Sequence, residues 1–181
     1  FLIPYSSFYL NANDPQKTKG EIKGGLDIKY GVNDAFTLDA ILVPDFGQAA
    51  FDKVELNLGP FEQQFNENRP FFTEGTELFS KGLLLYSRRI GGDASYELKD
   101  EEEYVENPEK VSLLNALKIS GRTKRGLGIG VLNAVTERTT ADIRNVNTNE
   151  VRSEVIEPLA NYNVFVLDQR FRKNSSVSLV N

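Results

Sequence analysis

PDFGQAAFDKVELNLGPFEQQFNENRPFFTEG, residues Pro44 to Gly75, decides how the rest of the chain is read. The stretch has neither a clean helical period nor a clean strand period. It holds six of the twelve phenylalanines: Phe46, Phe51, Phe61, Phe65, Phe71 and Phe72. A polar-aromatic connection of this length inside a strand-rich chain is usually functional or disordered. Its aromatic content argues for order. The expectation is an ordered insert, residues 44–80, that packs against or inside a sheet made by its neighbours.

On both sides the pattern alternates with period two, which marks strands. Leu26, Ile28, Tyr30 and Val32 share one face, and Asp27, Lys29 and Gly31 the other. Asn33-Asp34 makes a short hairpin turn. Phe36, Leu38, Ala40 and Leu42 then oppose Thr37 and Asp39, and Pro44 stops the strand. Residues Phe1 to Asn11 are β-prone, and Asn13-Asp14-Pro15 opens a polar turn lasting to Gly20. Beyond the insert, Leu83 to Ile90 reads as a strand and Gly91 to Lys110 as a long acidic loop. Leu113 to Lys124 and Leu127 to Val135 form a hairpin. In its second strand Gly126, Gly128 and Gly130 share a face, where a missing Cβ lets another segment approach closely; the insert is the expected segment. Glu137 to Pro158 reads as a polar loop, Asn161 to Lys173 as a strand, and Val177 to Val180 as the start of another.

About eight strands result, near the ~8 minimum for a membrane barrel. Short turns near Asn33 and Lys124 with long loops elsewhere follow the outer-membrane barrel pattern. In a soluble β-sandwich the apolar face would point to a shared core and the polar face to water. In a barrel it points to lipid, and the polar face to the lumen. There Asp27, Lys29, Asp39, Arg88, Lys118 and Arg122 would be lumen charges, with Arg69 and Glu74 of the insert as their partners.

Composition narrows the chemistry. The 181 residues suit one domain or a fragment of a larger fold. No apolar run is long enough for a transmembrane helix. A net charge of -5 argues against nucleic acid as a main partner. Without Cys there are no disulfides or thiolate metal sites, and without His the commonest general base and metal ligand are gone. Twelve Phe and seven Tyr could build interfacial girdles, although Trp is absent. No signal peptide precedes Phe1, as in an exported, processed chain.

Candidate sites are few. Asp45 could be a site carboxylate, but a turn aspartate after Pro44 is the preferred reading. Glu67, Arg69 and Glu74 could bind a ligand, but a structural ion network that fixes the insert is preferred. Glu62 with Glu67, or Glu74 with Glu77, could be a glycosidase pair, yet nothing selects them among 26 acidic residues. Asp100 to Glu103 with Glu106 lacks the spacing of a calcium loop. Gly126 to Gly130 lacks the Lys and Ser/Thr of a phosphate loop. No catalytic residue, cofactor or metal is expected.

The same stretch carries a resemblance. Asp45-Phe46-Gly47-Gln48, Asn57-Leu58, Phe61-Glu62, Glu67-Asn68-Arg69-Pro70-Phe71-Phe72-Thr73-Glu74-Gly75 and Tyr86-Ser87-Arg88-Arg89-Ile90-Gly91 resemble a family of unknown function among Gram-negative outer-membrane proteins. Its pattern reads NPDFxQVEAD, FxxFFPEKRPFFLEG and YSRRIG. Here Val43 replaces the usual Asn, Ala49-Ala50-Phe51 replaces the acidic run, and Phe65-Asn66 stands where Phe-Pro is common. The likeness spans roughly residues 20–135. It implies an N-terminal domain resembling a family-nine carbohydrate-binding module, followed by a β-barrel.

The expectation is therefore an all-β chain: an antiparallel, up-and-down, partial outer-membrane β-barrel over residues 1–181, with 44–80 as plug or loop. The N-terminal domain and the rest of the barrel would lie outside this sequence. The role is non-enzymatic and linked to carbohydrate binding or to envelope transport or assembly. Alternatives are a soluble periplasmic or secreted carbohydrate-binding domain and a carboxylate-based glycoside hydrolase. Expected partners are outer-membrane lipid, another outer-membrane protein or assembly machinery at an open edge, and glycan. The expected ion network comprises Arg69, Glu74, Asp45, Arg88, Asp39 and Lys29.

Overall fold

The computed structural model describes residues 1–14, 17–44, 66–92, 94, 96–106, 108, 110–172 and 175–181. Asp45 and most of the insert's phenylalanines lie outside these. The described chain is all-β, with antiparallel pairing throughout and a single turn of α-helix.

Seven strands make the main sheet. In chain order they are β1 (Leu2–Asp14), β2 (Lys17–Asn33), β3 (Phe36–Leu42), β5 (Leu113–Arg122), β6 (Leu127–Thr136), β9 (Ala160–Phe171) and β10 (Ser175–Val180). Between them come β4 (Glu102–Glu106), β7 (Thr139–Asn145) and β8 (Val151–Glu157), which form a separate three-stranded sheet in the order β4-β7-β8. The main order, β1-β2-β3-β5-β6-β9-β10, is an up-and-down meander once the two excursions are set aside. Among the described residues it does not close, and β1 and β10 are its edges.

Register sets the faces, because directly paired residues share one. Ile28 pairs with Ala40, which pairs with Leu117, and Tyr30 pairs with Leu38, which pairs with Ile119. Ile119 continues to Val131 and Val131 to Phe165. This face is mostly apolar and open, with Asn133 donating to Asn161 and Asn163 on its excursion side. Ile22 is 78% exposed, Val177 65% and Tyr30 61%. On the other face Lys29 pairs with Asp39, and Asp39 with Lys118. Ala134, Val166 and Asp168 there are fully buried, and Lys118 is 1% exposed. The insert covers this face. Phe71, Phe72, Leu78, Phe79 and Ile90 pack with Ile41, Leu113, Ala116, Leu132, Ala134 and Val166 in one core.

Glycine permits that contact. A Cβ on Gly128 would lie 2.7 Å from Leu78, and one on Gly130 3.0 Å from the Phe79 ring. The expected close approach of the insert to these glycines is thus present.

Three short connections of the main sheet lie at one end, and the β1–β2 connection lies at the other. The three are the turn after Asn33, the turn Thr123–Gly126 and the connection between β9, ending at Phe171, and β10, starting at Ser175. The amides of Ala35 and Phe36 donate to Asn33 Oδ1, which fixes the first. The excursions 43–112 and 137–159 leave from the opposite end.

Four sequence expectations change. Leu83 to Ile90 is not a strand but two 3-10 turns, Lys81–Leu83 and Ser87–Arg89. Gly82 and Gly91 flank it at φ 70° and 66°, outside extended geometry. The acidic segment contains β4, and Glu137 to Pro158 is the hairpin β7–β8. There Ala141 and Ile143 are buried while Asn145 Oδ1 caps the turn by accepting from the amides of Asn147 and Thr148. β2 begins at Lys17, within the expected polar turn. Ten strands are therefore described rather than about eight.

Candidate functional site

The insert meets the sheet through a charged seam. Its anchor is α1, Pro70–Thr73, one turn with Pro at the first helical position, where no amide hydrogen is missed. Gly75 follows at φ 60°. The rings of Phe71 and Phe72 meet edge to face at 5.0 Å. This turn directs the carbonyls of Phe71 and Glu74 at the sheet, and Lys118 meets both. Its ammonium donates to Phe71 O at 2.6 Å and to Glu74 O at 2.5 Å. It also lies 3.5 Å from the Asp39 carboxylate and 4.7 Å from the Phe71 ring centroid. A buried ammonium is tolerable only when its donors are used in this way.

Lys29, on the strand beyond Asp39, donates to Glu74 Oε2 at 2.5 Å. Both side chains are about half exposed, so this pair is a weak clasp.

Toward the short turns a second cluster centres on Asp168, whose side chain is fully buried. Arg122 donates to it at 2.5 Å and Ser178 at 2.6 Å, and the Lys81 ammonium lies at 3.2 Å. Arg170 pairs with Glu77 of the insert.

Arg69 pairs with Glu67, which is one part of the ion network expected to fix the insert. Its described carboxylate partner is Glu67, not Glu74. Its guanidinium holds Glu67 through both carboxylate oxygens, at 2.8 and 2.7 Å. It donates to the carbonyls of Ile90 at 2.6 Å and Ser87 at 2.8 Å, and stacks over Phe72 at 4.4 Å. Glu67 also accepts from the Ser87 hydroxyl at 2.7 Å. Arg69 thus ties the start of the described insert to the segment that follows it.

Burial pushes the Glu67 carboxyl up, but the hydrogen bonds from Arg69 and Ser87 outweigh it and hold the group below the ordinary carboxylate range. The charged form is therefore favoured by folding. Its stabilisation is complete above the unfolded value, about 4.3, and is lost as pH falls through the lower folded value. Glu67→Gln is expected to cost about 2 kcal/mol at pH 7. Melting from pH 7 to 3 checks the linkage: the gap between wild type and variant should narrow below about pH 4. A constant gap would rule it out.

Of the expected network, the structure brings together Lys29 with Glu74 and Asp39 with Lys118. Arg69 is held with Glu67, Arg88 lies in the 3-10 turn Ser87–Arg89, and Asp45 is outside the described residues. The supposed carboxylate pairs are divided among separate cations, Glu67 with Arg69, Glu74 with Lys29 and Glu77 with Arg170; Glu62 is not among the described residues. Glu102 of the acidic run is held by Arg152 at 2.8 Å. Among the described residues no group of three or more acidic side chains is placed to hold a metal. Sequence reasoning missed Asp168. Its signal was position: Val164, Val166, Asp168 and Arg170 share one strand face, so a charge there follows two apolar residues into the core.

One family matches this chain, over residues 1–181, and it is described as a domain of unknown function (DUF5916). No curated protein and no solved structure matches.

Proposed function

Since the chain belongs to the DUF5916 family, whose description carries no activity, we propose from its geometry that it is part of the wall of a non-enzymatic outer-membrane β-barrel, plugged by the insert. The observation that carries this reading is the inverted polarity of the main sheet. Its charged face is the covered one, with Lys118 and Asp168 buried beneath the insert, while Ile22, Tyr30 and Val177 stay exposed. Water as the only solvent would favour the opposite arrangement. Lipid on the open face and a filled lumen on the other favour this one. Three short connections at one end, with both long excursions at the other beside the β1–β2 hairpin, support the same reading.

No helix among the described residues is long and apolar enough to cross a membrane, which does not bear on crossing by strands. In lipid the edges β1 and β10 take further strands, because each unpaired backbone group there costs several kcal/mol. The glycan-handling, transport or assembly role implied by the resemblance belongs to the whole barrel.

Cell fractionation with a heat-modifiability gel tests the proposal. The protein should be recovered with outer membranes and its folded band should shift on boiling. Ile28→Lys, on the open face and further from the rim than Tyr30, should lower insertion by up to about 2–4 kcal/mol, while Lys29→Gln should not. Recovery in the soluble fraction with no shift would overturn the barrel.

A further inference from the structure

Resting on the barrel reading, we infer that the short-turn rim is an interaction surface for anionic phospholipid headgroups, and that the protein sits in its bilayer with this rim on the side where such lipids lie. Two of the three short turns at that end are basic. Lys124 and Arg125 are exposed in the turn Thr123–Gly126, and Arg172 is exposed beside the β9–β10 turn. Among the described turn residues, Asp34 in the first turn is the acidic one. The carboxylates that reach this end from the inner side, Asp168 and Glu77, are already committed to Arg122, Lys81 and Arg170.

Charge is segregated along the molecule. The two stretches at the opposite end, 91–110 and 137–159, hold thirteen acidic and five basic residues. Residues 14–23 of the β1–β2 hairpin, which turns at the same end, add three basic and two acidic residues to this count. An anionic surface therefore attracts one end of the protein and repels the other.

Apolar chemistry converges on the same rim. On the open face near this rim stand Phe171, 48% exposed and next to Arg172, Val177 on the neighbouring strand, and Tyr30, three residues before Asn33. An aromatic ring at the headgroup level with a cation immediately beyond it, as Phe171 with Arg172, matches the layering of a bilayer surface. A phosphate ion in solution would satisfy the cations but give no role to the neighbouring aromatics, which selects the lipid headgroup as the partner.

The test is refolding of the protein into vesicles of phosphatidylcholine alone or mixed equally with phosphatidylglycerol, with insertion read as the heat-modifiable fraction over time. Expected is insertion into both, several-fold faster with phosphatidylglycerol at low salt, the advantage shrinking at high salt as the charges are screened. The variant Lys124→Glu/Arg125→Glu/Arg172→Glu should lose the advantage and keep its rate in phosphatidylcholine. The milder Gln triple variant should lose most of it, and the salt series on the unaltered protein needs no variant to fold. Equal rates in both lipids at low salt, with insertion intact, would overturn the rim inference and leave the barrel standing. No insertion into either lipid would overturn both.

Discussion

Lys118→Met is expected to destabilise the fold by about 3–5 kcal/mol, the range for removing one partner from a buried charged cluster. The length and apolar stem of the side chain are kept, so packing changes little. What is lost is the ammonium that satisfies two carbonyls of the α1 turn and neutralises Asp39. Those acceptors are left beneath the insert without a donor of comparable reach. Lys29→Met is the control. It removes a cation from the same acidic neighbourhood, but its pair with Glu74 is half exposed and is worth at most about 1 kcal/mol. Urea unfolding in detergent, followed by far-ultraviolet circular dichroism, gives both values. Trypsin cleavage at Lys81 should also rise in the Lys118 variant, because that residue lies where the insert meets the sheet. Equal losses in the two variants would refute a dominant role for Lys118.

Phe79→Ala comes next, at about 3–5 kcal/mol. The ring is 1% exposed and lies over the strip where β6 has no side chains. Its loss opens a cavity between insert and sheet that neither can close without moving the other. Gly130→Val alone is expected to cost about 1–3 kcal/mol by overpacking, because its Cβ would lie 3.0 Å from the Phe79 ring. Together the two changes should cost clearly less than their sum, since the valine fills part of the space the ring leaves. The same unfolding assay gives the four corners of the cycle. Additive losses would mean that the two sites are not in contact.

Much of the sheet was legible because its strands obey simple alternation. Leu26 to Val32 and Phe36 to Leu42 read directly as a hairpin, and the glycines of β6 pointed to the insert as their neighbour. Leu83 to Ile90 misled because an apolar run carries no information on where its backbone bonds go. The carbonyls of Ser87 and Ile90 are taken by Arg69 from within the same stretch of chain. A side chain replaced a neighbouring strand, and periodicity does not register such a substitution. The hairpin β7–β8 was hidden for the opposite reason. Its Thr- and Asn-rich composition suggests a loop, and only Ala141 and Ile143 mark its inner face. In the site, residue types were informative and partners were not. Lys29, Asp39, Lys118 and Glu74 were recognisable as charges needing company, yet whether Glu74 met Lys29 or Arg69 depends on how α1 is turned, which is a property of tertiary packing.

The adjacency of β3 and β5 has a consequence for the order of assembly. Leu42 pairs with Asn115, so about 70 residues are looped out between neighbouring strands. Two hairpin-rich halves, β1-β2-β3 and β5-β6-β9-β10, can form from nearer contacts, whereas their junction must wait for a slow, distant encounter. The looped segment then lies across that junction, with Lys29 and Asp39 on one bank and Lys118 on the other. Docking it is the step that makes the union of the halves hard to reverse, so a chain lacking the segment should separate along β3–β5 first.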